Sequence, residues 1–174
     1  MQRTIYFLSY PIIYLIASIP FSVLYIFSDF IRWIVYHIIG YRKKIVRFNL
    51  RKAFPDKSDE DLKWIEKRFY KHFCDITLEA FKSFKMSSSE MQKRMIFKNM
   101  EILTQFEKEN RSAIIMCGHY SSWEWMLSVG YHMQSTGYGI YTPIMNPYFN
   151  ELIIKIRKIH QAELLSRYGA IESI

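Results

Sequence analysis

"GYGIYTPIMNPYFNELIIKIRKIHQAELL", Gly137 to Leu165, reads as one strand–helix–strand unit, and it decides the fold class. Tyr138–Thr142 is a short strand candidate between Gly137 and Pro143, which punctuate it. Pro147 opens a helix that runs to Ile159, since a residue without an N–H is tolerated in a helix's first turn. Glu163–Leu165 is a second strand candidate. Working back along the chain, the alternation continues. Ser122–Met133 reads as a helix, Ser112–Cys117 as an apolar strand, Met100–Glu109 as a helix and Met95–Phe97 as a short strand. Strands alternating with helices predict an α/β fold with a mostly parallel sheet. No internal repeat and no low-complexity linker interrupts it.

Upstream lies a longer helix. "FPDKS", Phe54 to Ser58, is a turn, and Ser58-x-x-Asp61 resembles a capping box. Leu62, Ile65, Phe69, Phe73, Ile76, Ala80 and Phe84 recur at helical spacing, predicting a core-facing stripe to about Phe84. "MSSSE", residues 86–90, is a break and a new cap.

The N-terminus has a different character. Thr4–Ser28 holds 25 residues without a charge, 18 of them apolar or aromatic. As one helix it would measure about 37 Å, more than a bilayer core requires. Pro11 and Pro20 would kink it, and Tyr6, Tyr10, Tyr14, Tyr25 and Trp33 suit a membrane interface. No small-residue cleavage site follows, which argues against a removed signal peptide. Both a spanning helix and one tilted within a leaflet fit this segment. "YRKKIVRFNLRK", Tyr41 to Lys52, then brings six basic residues and no acid. Such a run faces the cytoplasm and attracts anionic headgroups, at about 1 kcal/mol per Lys or Arg. The plainer reading is a solvated basic helix face. Residues 1–41 are thus expected to be a membrane-anchoring segment, ahead of a globular part over 42–174.

The 174 residues carry a net charge of +8, half of them are hydrophobic and 17% are aromatic. That balance suggests anionic partners: lipid headgroups, an acidic carrier protein or nucleic acid. Nucleic acid ranks last, because there is no zinc pattern, RNA-binding motif or basic recognition helix. Cys74 and Cys117 sit in apolar runs and read as reduced thiols in a cytoplasmic domain.

"IIMCGHYSSWEW", Ile114 to Trp125, carries the candidate chemistry. In open α/β sheets, ligands bind at the carboxyl ends of strands. Gly118 allows a tight turn there, His119 stands at the corner and Glu124 falls in the first turn of the next helix. A carboxylate folding back on an imidazole fixes its tautomer and stabilises the imidazolium. With no Ser or Cys in a nucleophile elbow, the simplest use of the pair is general-base catalysis. His119 would deprotonate a substrate hydroxyl, which then attacks an activated acyl group. The plain alternative is a helix cap: Ser121-x-x-Glu124 is itself a capping box, and a Glu suits a helix N-terminus. A metal site lacks a third ligand at suitable spacing. Cys117 reads as a small core residue, and His37, His72, His132 and His160 as structural or surface residues.

At this point the residues resemble a known family. "GHYSSWEW", with His119-x4-Glu124, is similar to the His-x4-Asp/Glu motif of the glycerolipid and lipid A acyltransferases, and closest to the bacterial lipid A late acyltransferases. "RFNLRKAFPD" (Arg47 to Asp56), "YTPIMNPYFNELI" (Tyr141 to Ile153) and "LLSRYGAI" (Leu164 to Ile171) resemble further blocks of that branch, in order. The resemblance implies a membrane-anchored α/β catalytic domain on the cytoplasmic face of the bacterial inner membrane. It implies transfer of a fatty acyl chain from acyl carrier protein or coenzyme A to a hydroxyl of an anionic lipid, without metal or organic cofactor. His119 matches the base and Glu124 its partner. Arg157 and Arg167 match basic positions assigned to substrate phosphate or the thioester oxyanion; for Arg157 a cation near a helix C-terminus is the plain alternative.

Two departures from the family pattern stand out. Thr142 occupies the place of the usual Arg in a Tyr-Arg-Pro block. The chain also ends at Ile174, whereas the resemblance leads one to expect about a hundred further residues. That points to a fold incomplete at the C-terminus, and an inactive membrane-bound fragment is one reading of it. The others are acylation of a lipid A precursor, or of a lysophospholipid, aminolipid or glycolipid.

Overall fold

Pro20 divides the N-terminal apolar run. In the computed structural model, which describes residues 2–159 and 162–170, α1 (Gln2–Ser18) ends just before Pro20 and α2 (Phe21–Trp33) starts just after it. Pro11 stays inside α1. α2 runs on into a π-helical stretch, Ile34–Ile39, which Gly40 ends in the left-handed conformation at φ 64°. The break at Pro20 shifts the apolar stretch: among the described residues, the helix long and apolar enough to cross a membrane is Phe21–Ile39, and not Thr4–Ser28.

The chain forms two compact units. Residues 19–79 make one, and residues 1–18 with 80–174 make the other.

In the first unit, α3 (Lys43–Ala53) and α4 (Asp59–Lys82, whose last residues enter the other unit) follow α2. The expected cap is present at the start of α4. Ser58 Oγ accepts from Asp61 N at 3.1 Å and donates to Asp61 Oδ2 at 2.8 Å. The buried stripe of α4, however, is Leu62, Glu66, Tyr70, Cys74 and Leu78, turned one residue from the expected one, and Phe69 is exposed. Polar partners explain the turn. Arg47 grips Glu66 at 2.8 and 3.2 Å, and the Tyr70 hydroxyl donates to the Tyr41 carbonyl at 2.5 Å. Satisfying buried polar groups decides which side of the helix faces inward.

In the second unit a 3₁₀ turn (Ser83–Lys85) leads to α5 (Ser88–Arg94), α6 (Glu101–Lys108) and a 3₁₀ helix, Trp123–His132. Then come β1 (Gly137–Tyr141), α7 (Pro147–Lys158) and β2 (Ala162–Ser166). Ser87 caps α5 as expected, accepting from Glu90 N. β1 and β2 pair in parallel, from Gly137↔Ala162 to Tyr141↔Ser166, so the fold is α/β with a small two-stranded parallel sheet and an apolar N-terminal helix. Asn146 caps α7 by accepting from Tyr148 N at 3.1 Å, with Pro147 in the first turn. Ile13 of α1 and Leu152 and Ile156 of α7 form a buried cluster, surrounded by Tyr6, Tyr10, Phe81, Phe84, Phe149 and Ile153. The apolar face of α7 is therefore covered by α1.

Three expectations need correction. Met95–Phe97 is not a strand, and Ile96 is 72% exposed. Ser112–Cys117 forms no strand and pairs with no other strand among the described residues, and Ile114 and Met116 are each 92% exposed. A strand requires a neighbour for its N–H and C=O groups, and the sheet in the described residues consists of β1 and β2 alone. The segment after it is helical as expected, but in the tighter 3₁₀ form.

Candidate active site

The site grows from the corner that follows residues 112–117. Gly118 O accepts from Tyr120 N at 3.0 Å, and Ser121 takes a left-handed backbone at φ 50°. Ser121 O then accepts from Trp123 N at 2.9 Å and the 3₁₀ helix begins. Non-glycine residues seldom hold positive φ, and Asn, Asp and Gly hold it most readily. Here a Ser takes it, between His119 and Glu124.

His119 is exposed on the corner, its ring 4.4 Å from that of Trp123 at an angle of 46°. Glu124 lies in the first turn of the 3₁₀ helix. Its carboxylate does not serve as a cap, and the N-cap residue Ser122 makes no side-chain capping bond. Both its oxygens instead accept from Arg157, in the last turn of α7: Nε to Oε2 at 2.9 Å and Nη2 to Oε1 at 2.8 Å. The two side chains are 14% and 19% exposed. A planar guanidinium held in this fork is both strong and directional. The Arg157 guanidinium also lies 5.8 Å from the Trp123 ring and 6.0 Å from that of Tyr141 at the end of β1.

The structure thus brings Glu124 and Arg157 together, with Trp123 between Arg157 and His119. Among the described residues no hydrogen bond joins His119 to Glu124. Arg167 stands just past β2, exposed, with its guanidinium 4.9 Å from the Tyr168 ring and its backbone N donating to Tyr141 O. Thr142 is exposed beside β1. Cys117 is exposed next to His119, not a core residue as its apolar surroundings suggested. Cys74 is buried, and burial pushes its thiol pKa up.

The remaining histidines lie apart from this corner. His37 packs on Tyr36 and Trp33, His132 packs on Phe97, and His72 is exposed. His160 lies outside the described residues. Among the described residues, no three His, Cys, Asp or Glu side chains are grouped to hold a metal ion.

Two contributors escape a reading of charged residues alone: Trp123 and Tyr141, the aromatic walls around Arg157. Their signal is residue type and position. One is a Trp directly before the acid, and the other is a Tyr ending the strand that leads to α7.

The arrangement offers an exposed imidazole and, five residues on, a carboxylate fixed by Arg157. The fork leaves that carboxylate spare acceptor capacity, since two oxygens provide about four lone-pair sites. A family model described as bacterial lipid A biosynthesis acyltransferase matches residues 1–174. No curated protein and no solved structure matches the chain.

Proposed function

The chain belongs to the bacterial lipid A biosynthesis acyltransferase family, and on that premise we propose that it moves a fatty acyl chain from a thioester on acyl carrier protein or coenzyme A to a hydroxyl of a lipid A precursor. His119 takes the proton of the acceptor hydroxyl as the oxygen attacks the thioester carbonyl. The tetrahedral intermediate then collapses, the C–S bond breaks, and the imidazolium returns its proton to the departing thiolate. An ester and a free thiol result. No covalent enzyme intermediate is needed, in keeping with the lack of a nucleophile elbow.

Glu124 stabilises the imidazolium, using the lone pairs that Arg157 leaves open. In this reading Arg157 is a positioning residue: it fixes the carboxylate. Arg167, exposed near the end of β2, is the cation offered to the acceptor's phosphate or to the thioester oxyanion. The N-terminal apolar helices and the basic run after them hold the enzyme on the cytoplasmic face of the inner membrane, where both substrates meet it.

The observation that carries this reading is the Glu124–Arg157 fork beside His119. A carboxylate fixed by an arginine, five residues on from an exposed imidazole and inside a matched family sequence, supports it. The test is acyl transfer by membranes containing the chain. They are given labelled acyl-acyl carrier protein with either an underacylated lipid A precursor or a lysophospholipid. Label in the lipid A product supports the proposal. Label only in the phospholipid keeps the chemistry and overturns the acceptor.

A further inference from the structure

We propose that α2 and its π-helical extension form an in-plane anchor, seated in one leaflet of an anionic bilayer and not crossing it. This rests on the membrane-enzyme reading only in taking a bilayer as the partner. Its test reads position, so its failure is distinct from a failure of the acyltransferase reading.

α2 has two different faces. Val23, Ile26, Phe27, Phe30 and Trp33 are exposed at helical spacing, and Ile38 continues the exposed apolar surface. This is one apolar stripe. The other face is already occupied: Phe21, Leu24 and Ser28 are buried there, beside a row of polar contacts. Tyr25 donates to Glu79 at 2.7 Å, Ser28 donates to Asp75 at 2.6 Å, and Asp29 accepts from Lys71 at 3.0 Å and from Arg32 at 3.3 Å. The partners Lys71, Asp75 and Glu79 all belong to α4. A helix carrying α4 along its side could cross a bilayer only by taking α4 with it. Yet α4 has eleven Asp, Glu, Lys and Arg residues in 24. Charges at bilayer depth are costly unless they face a protein or aqueous interior.

The path of the chain points the same way. α1 is fixed along its length to residues of the second unit. Asn146 Nδ2 donates to Gln2 O at 3.3 Å, the Tyr6 ring stacks on Tyr148 at 5.5 Å, and Lys82 Nζ donates to Ala17 O at 2.7 Å. The chain leaves that unit after Ser18 and re-enters it at Ala80. A crossing by α2 would need a second crossing to return. α3 has 11 residues, so it reaches only about 16 Å, half of a bilayer core. α4 is long enough but is the charged helix just described. α2 therefore stays on the side where it started.

Charge complementarity agrees. Directly after the apolar stripe come Arg42, Lys43 and Lys44, and α3 buries none of its residues. Ile45 and Phe48 on α3 are 49% and 59% exposed beside Arg51 and Lys52. Apolar insertion flanked by a basic helix fits the anionic surface of a leaflet.

The test uses the full chain in native inner-membrane vesicles of each orientation and a membrane-impermeant maleimide. The native Cys117, exposed in the second unit, is the internal reference. Asp56→Cys, in the exposed turn between α3 and α4, reports the side on which the chain lies after α2. Both thiols are expected to label in the same vesicle preparation and to be protected together in the other. Labelling in opposite preparations would overturn the proposal. A second variant, Ile26→Asp with Phe30→Asp, is expected to lower partitioning onto vesicles of phosphatidylethanolamine and phosphatidylglycerol by about tenfold or more, with unchanged helix content. Undiminished partitioning would equally overturn it.

Discussion

Arg157 holds Glu124 through both carboxylate oxygens, at 2.8 and 2.9 Å, and so ties the last turn of α7 to the first turn of the 3₁₀ helix that follows His119. The ion pair converts packing elsewhere into geometry at the corner. α7 is seated by Leu152 and Ile156 against Ile13 of α1, and the fork passes that fixed position on to the carboxylate. Positioning by a rigid outer group is how a proton-transfer partner keeps its alignment.

Removing the guanidinium should therefore strand a mostly buried carboxylate. Arg157→Ala is expected to lower stability by about 1–3 kcal/mol, read by urea unfolding. If Arg157 acts by positioning Glu124, as proposed, the substitution should also lower the rate of acyl transfer with little change in acceptor KM. Arg157→Lys should not restore the rate, since a point charge cannot reproduce the two-pronged fork. A variant with unaltered rate and a raised KM would show that Arg157 binds substrate directly.

The two cysteines should part ways toward a thiol reagent. Cys117 lies on the exposed, unpaired segment before His119, whereas Cys74 is 3% exposed on the inner stripe of α4 and burial raises its thiol pKa. Maleimide at neutral pH should modify Cys117 promptly and Cys74 only on unfolding, as site-resolved mass spectrometry would show. Equal protection of both would mean that residues 112–117 are covered in the working protein.

Acid should loosen the turn between the 3₁₀ helix and β1. The Glu107 carboxylate accepts from the Ser135 hydroxyl and from the Ser135 and Gln134 amides, the hydroxyl bond being the largest influence, and these hold its pKa below the ordinary value. A carboxyl depressed in the folded state contributes stability that is fully present above the unfolded pKa, about 4.3. That contribution is lost as pH falls through the lower folded value. Amide exchange at Gln134 and Ser135 should accelerate over that window, and Glu107→Gln should abolish its pH dependence. A pH response that persists in the variant would assign it to another group.

Much of this fold is legible in the sequence where local chemistry sets the outcome. The Ser58 cap of α4, the Asn-Pro start of α7 and the Gly and Pro bounds of β1 each depend on one or two residues acting on their own backbone. The break at Pro20 belongs to the same class. What local pattern misses is decided by distant partners. The inner stripe of α4 turned because Arg47 and the Tyr41 carbonyl capture Glu66 and Tyr70. Residues 112–117 have strand composition but no neighbour to pair with among the described residues, so composition overstated them. At the candidate site, His119 and Glu124 stand out by type and spacing, whereas the role of Arg157 depends on packing that brings together residues 33 apart. No spacing rule contains that contact.

Acyl transfer by wild-type and His119→Ala chains, in matched membranes with the same labelled acyl-acyl carrier protein and lipid A precursor, tests His119 as the base. Loss of a general base costs typically about 10²–10⁴-fold. A drop of that size, with equal protein in the membrane, is the predicted result. Transfer by His119→Ala at the wild-type rate would contradict the assignment of His119 as the base and, with it, the mechanism built on this corner.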